Sequence, residues 1–106
     1  MNKIIRREDA VRTVKNACKK VMRECDHHYD EKIEDYVYDN VHDVDLILKV
    51  NKEAVNALKQ LPATNDLISR QDIIHLIDEV WQSWYVNTLD RFRDELLERV
   101  AVMPSE

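Results

Sequence analysis

The chain has 106 residues, no glycine, two prolines, two cysteines, 35% charged residues and a formal net charge of −5. That length suits one domain that buries about 65% of its unfolded surface, enough for a modest core without staples. Without glycine, a phosphate-cradling loop, a dinucleotide fingerprint and a nucleophile elbow are excluded, and an all-β fold with tight hairpin turns is disfavoured.

The first helical pattern runs from Arg7 to His28. Val11, Val14, Cys18, Val21, Cys25 and His28 recur at spacings of three and four, and Ala10 and Ala17 widen the stripe. Cys18 and Cys25 are too far apart for a disulfide within one helix, and in this phase they read as core thiols. A second pattern runs from Asp30 to Leu61 and ends at Pro62, as one helix or as two pieces joined near Asn40 to Asp43. Tyr36-Val37-Tyr38 and Val41-His42-Asp43-Val44 are poor helix formers within it. Asn65-Asp66 is the best linker candidate.

Ser69 opens the next helix as a cap, with Asp72 three residues on and Ile68 and Ile73 in staple positions. Ile73, Ile74, Leu76, Ile77, Val80, Trp81, Trp84 and Tyr85 cover about half the helix circumference, which predicts burial on two sides. The last helix carries Leu89, Phe92, Leu96, Leu97, Val100 and Met103 and stops at Pro104. Val86-Asn87-Thr88 is the favoured break between the two, with one continuous helix as the competing reading.

The halves repeat each other. I-R-R-E-D-A-V at Ile5 to Val11 aligns with I-S-R-Q-D-I-I at Ile68 to Ile74, and each half closes on a proline, in Leu61-Pro62 and in Met103-Pro104. The expected fold is all-α: a duplicated helical hairpin forming a small four-helix bundle within a single domain, residues 1–64 and 67–106 being the copies. The first copy is expanded by Tyr29 to Leu46 and has Arg6 in place of the capping serine.

I-S-R-Q-D, an amphipathic helix, a tryptophan-bearing connector, a second helix and a terminal P-S together resemble a motif common in small phage- and prophage-encoded proteins of low-GC Gram-positive bacteria. The resemblance is good for Leu67 to Glu106 and weaker for Ile4 to Thr64. It implies a mobile-element accessory protein. Small acidic proteins of that setting are often inhibitors of host machinery, anti-CRISPR proteins among them.

The charge is uneven. Residues 1–24 carry +5, residues 26–45 carry −7, residues 46–64 carry +2 and residues 65–106 carry −5. One explanation is a basic first helix lying antiparallel to an acidic second one. A sharper one makes the acidic stretch, interleaved with Tyr29, Tyr36 and Tyr38, a phosphate mimic for an Arg-rich surface. Direct nucleic-acid binding by the first helix is the weaker expectation, because the whole molecule repels phosphate.

Chemistry has little to work with. Cys18, Cys25, His27 and His28 offer one ligand cluster where zinc sites show two paired short spacings, and the cysteines fit the core stripe. Glu24 with His27 and Asp39 with His42 have the i, i+3 spacing of bundle metal ligands, yet fall beside the apolar stripes. His75 falls on a polar helix face beside Asp78 and Glu79. Ser69, Ser83 and Ser105 lack a base with an orienting carboxylate. The expectation is therefore a cytoplasmic protein that acts by binding, not as an enzyme, with no cofactor, no metal and no membrane segment. Its partner would be a host nucleic-acid-handling protein such as a CRISPR nuclease, and a homodimer is possible. The contact residues would be Asp30, Glu31, Glu34, Asp35, Tyr36, Asp39 and Asp43, with Trp81, Trp84 and Tyr85 as aromatic anchors or a self-association face. The alternatives are a dimeric DNA-binding regulator using Arg6, Arg7, Arg12, Lys15 and Lys19, and a scaffolding module.

Overall fold

A computed structural model describes residues 4–63, 65–84 and 87–104. Its elements are β1 (Ile4–Arg6), α1 (Arg7–Glu24), β2 (His27–Asp30), β3 (Asp35–Tyr38), α2 (Val41–Gln60), β4 (Leu67–Ser69), α3 (Arg70–Gln82) and α4 (Asn87–Ala101). Four helices pack together, α1 against α2 and α4, and α3 against α2 and α4. One apolar cluster draws from all four, with Val14 and Val21, Ile47 and Leu58, Ile73 and Ile77, and Phe92 and Leu96 buried in it. No described helix is long and apolar enough to cross a membrane.

The all-α expectation is corrected to mostly helical with two small antiparallel sheets, β1 with β4 and β2 with β3. The first helix ends at Glu24, not His28, because His27, His28 and Tyr29 are better accommodated in a strand than in a helix interior. The long pattern from Asp30 to Leu61 divides. Its first part is a β-hairpin, and α2 begins only at Val41, where the Asn40 side chain accepts the Asp43 N–H at 3.1 Å. Between α3 and α4 the helix is also interrupted, but earlier than expected: α3 ends at Gln82, Asn87 and Thr88 already belong to α4, and Val86 lies outside the described residues. The basic first helix therefore has no acidic helix beside it. Two of its ion pairs reach α4 instead, Lys20 to Glu95 at 3.0 Å and Glu24 to Arg91.

The β1–β4 ladder joins the two stretches of similar sequence. Ile5 pairs with Ile68, Ile4 with Ser69 and Arg6 with Leu67. The offset of the sequence repeat carries Ile4 onto Leu67 and Arg6 onto Ser69, so the ladder maps onto itself about a local two-fold at Ile5 and Ile68. Both isoleucines are buried. The capping difference between the copies is also real. Ser69 Oγ accepts the Asp72 N–H at 3.0 Å, whereas Arg6 makes no side-chain cap.

The repeated arginine has a job. Arg7, the first residue of α1, donates to the carbonyls of Leu58 and Leu61 at 2.6 Å each and of Lys59 at 2.8 Å. Its counterpart Arg70, the first residue of α3, donates to the Met103 carbonyl. Each guanidinium thus meets the orphan carbonyls and negative dipole end of the closing helix of its own copy. Pro62 helps present one of them. It forces the preceding Leu61 into an extended conformation (φ −61°, ψ 130°), which ends α2. The repeated R…P pattern is a clasp that closes each hairpin.

With no glycine, turns fall to other residues. Glu34, Asn65 and Asp66 adopt left-handed φ values of 54°, 55° and 57°. Asn and Asp tolerate that region, while Glu there is strained. Asp66 is held by its carbonyl, which accepts the Arg7 N–H at 2.8 Å, and by its carboxylate, 3.3 Å from Arg7 Nε.

Candidate protein-binding hairpin

Four of the acidic contact residues come together at the end of a projecting hairpin. Asp30 faces Asp35 across the strands, and Glu31-Lys32-Ile33-Glu34 form the loop between them. Glu31, Glu34 and Asp35 are exposed and Asp30 is half-buried. Two carboxylates directly opposite one another destabilise a strand pair by a few tenths to 1 kcal/mol. Local hydrogen bonds hold them in place: Asp30 Oδ1 accepts the Lys32 N–H at 2.9 Å, and Asp35 Oδ1 accepts the Tyr36 N–H at 2.8 Å. Beyond each other, β2 and β3 pack only lightly on the helices. The molecule is accordingly elongated, 53 × 26 × 22 Å, with a radius of gyration of 15.3 Å, against about 13 Å for a compact chain of this length.

Strand alternation sorts the hairpin into two faces. Asp30, Asp35, His28 and Val37 occupy one. On the other, His27 pairs with Tyr38 and Tyr29 with Tyr36. Those four rings form an edge-to-face ladder, with centroids 5.4 Å apart for Tyr29 and Tyr36, 5.7 Å for His27 and Tyr36, and 6.2 Å for His27 and Tyr38. The ladder is open to solvent: Tyr36 is 66% exposed and Tyr29 51%, and Ile33 at the tip is 58% exposed. Tyr29 and Tyr38 were expected only as residues interleaved with the acidic stretch, and His27 not as a contact at all. Their signal was the alternation in H-x-Y and Y-x-Y on either side of a short polar spacer.

The remaining expected contacts lie elsewhere. Asp39 is at the hairpin's base, its carboxylate 2.5 Å from His28 Nδ1, where the Asp39 N–H also reaches the Asp26 carbonyl at 2.9 Å. Asp43 belongs to the first turn of α2, where a carboxylate complements the helix dipole. Trp81 is a core residue, the alternative left open by the sequence. It is 3% exposed, donates its indole N–H to the Leu89 carbonyl at 2.8 Å and meets the Phe92 ring edge-on at 5.1 Å. Trp84 is half-buried against the core and donates to Glu53 at 3.1 Å. Tyr85 lies outside the described residues, as does Ser105 of the terminal P-S. Among the regulator's residues, Arg7 is consumed by the clasp.

Other candidate chemistry disperses. Cys18 is in the core, and burial pushes its thiol up to about 11. Cys25 is raised by burial and by the carboxylates of Asp43 and Asp26, and its thiol reaches the Val21 carbonyl at 3.3 Å. Glu24 pairs with Arg91 while His27 joins the ring ladder. Among the described residues no three His, Cys, Asp or Glu side chains gather as metal ligands. Comparison with family models, curated proteins and solved structures finds no match.

Proposed function

We propose that this protein acts by binding another protein, inserting the acidic tip of the β2–β3 hairpin into a cationic surface that otherwise holds nucleic-acid phosphates. The observation that carries this reading is the facing of Asp30 and Asp35, flanked by Glu31 and Glu34, on a hairpin that contributes little to the core. A two-stranded hairpin is marginal in water on its own, and concentrated like charge weakens it further. Arginine side chains from a partner would relieve that repulsion and form charge-assisted hydrogen bonds. The rings of Tyr29 and Tyr36 supply large, stiff contact area beside the charge, the composition of interface hot spots. On the resemblance to phage-encoded proteins, the proposed partner is a bacterial nucleic-acid-handling protein such as a CRISPR nuclease.

The test is affinity capture from a bacterial host with the full chain as bait. The expected outcome is one stoichiometric nucleic-acid-binding protein, released by added DNA and by salt. Replacing Asp30, Glu31, Glu34 and Asp35 by lysine should abolish capture while leaving the helical spectrum intact. Capture that survives the four replacements would refute the assignment of the tip.

A further inference from the structure

The opposite face of the same hairpin borders a cationic groove. Where β3 meets the bundle, Asn16, Lys19, Met22 and Arg23 of α1, Tyr38 of β3 and Arg99 of α4 line an open cleft of about 510 Å³. A second cleft of about 260 Å³ lies between Arg23 and the ring face, lined by His27, Tyr36, Val37 and Tyr38. Arg23 and Tyr38 line both, so the two clefts adjoin. No carboxylate lines either one. Lys19 and Arg23 have no ion-pair partner among the described residues, while Arg99 shares Glu95 with Lys20.

We propose that this groove binds a short single strand of nucleic acid, with Lys19, Arg23 and Arg99 contacting phosphates and Tyr36, Tyr38 and His27 receiving bases. A cationic track beside exposed rings is the combination that sequence-tolerant single-strand binders use, since every base has a π-face to stack. The edge-to-face ring contacts favour that ligand over an acidic peptide, because they leave the Tyr36 ring two-thirds open for a flat partner. The net charge of −5 does not prevent it. Asp30 and Asp35 point from the other face of the hairpin, and Asp35 is three residues, about 10 Å, along the strand from Tyr38. At physiological salt that distance exceeds the screening length of about 8 Å. The groove and the acidic tip are separate surfaces, so either assignment can fail alone.

The experiment is fluorescence anisotropy of labelled dT12 and rU12 titrated with the full chain at 20 and 200 mM salt. Three phosphate contacts predict saturable binding that weakens with a log–log salt slope of about −2. Arg23→Gln and Tyr36→Ala, both at exposed positions, should each weaken binding about fivefold or more, and lysine at Asp30 and Glu31 should strengthen it at 20 mM salt, where screening is weak, and not at 200 mM. The proposal is overturned by an absence of saturable binding at 20 mM salt, or by affinities that ignore both variants. Displacement of the oligonucleotide by poly-glutamate at equal charge concentration would also overturn it, since the rings would then read nothing. So would sedimentation showing that the variants act by dissolving a dimer seated on the groove.

Discussion

Arg7 and Arg70 play matching parts at the scale of single residues. Both are the first residue of a helix, both reach the last carbonyls of the helix that closes their copy, and both keep a buried Nε without a hydrogen bond. The repeated I-x-R is therefore explained by folding: it is the strand isoleucine and the clasp arginine at the start of α1 and of α3. A charged donor to half-buried carbonyls contributes about 1.5–3 kcal/mol. Arg7→Gln, with three carbonyls abandoned, is expected to lower the melting temperature by about 10 °C, and Arg70→Gln by less. Thermal melts followed by circular dichroism check the order, and a neutral Arg7→Gln would contradict the clasp.

At the scale of elements, α1 is fastened to α4 as well as to α2. Glu95 sits between Lys20 and Arg99, accepting from them at 3.0 and 2.8 Å, and those hydrogen bonds hold its carboxyl below the ordinary value of 4.5. A carboxylate lowered by folding adds stability that is complete above its unfolded value and lost as pH falls through its folded one. Melting temperatures of the natural chain and Glu95→Gln should therefore differ at pH 6 and converge below pH 4.5. A gap that stays constant down to pH 3 would show that the pair is not an ionic fastener. The hairpin is the element that escaped the sequence. Ile33, Val37, Val41 and Val44 keep helical spacing by coincidence, although Ile33 is in a loop, Val37 in a strand and only the last two in α2. Strand alternation over four residues is too brief to outweigh a pattern sustained over thirty. The poor helix-forming run at Tyr36 to Tyr38 was the true boundary signal.

Across the whole molecule, the repeat and the four helices were legible because proline, capping serine and apolar phase agree there. The site was legible only as charge: the acidic segment was found, but not its fold, its ring-bearing face or the groove beside it. What emerges is a clasped bundle that holds out a hairpin with carboxylates on one side and aromatic rings on the other. The apolar core takes no residue from the hairpin, and Asp26 and Asp39 meet at its base, close enough to be joined by a two-residue turn. The most direct measurement replaces residues 27–38 with Asn-Gly and follows both melting temperature and partner capture. The expected result is a melting temperature within about 3 °C of the natural chain and complete loss of capture. Capture retained by the shortened chain would contradict the central claim that the hairpin is the recognition element.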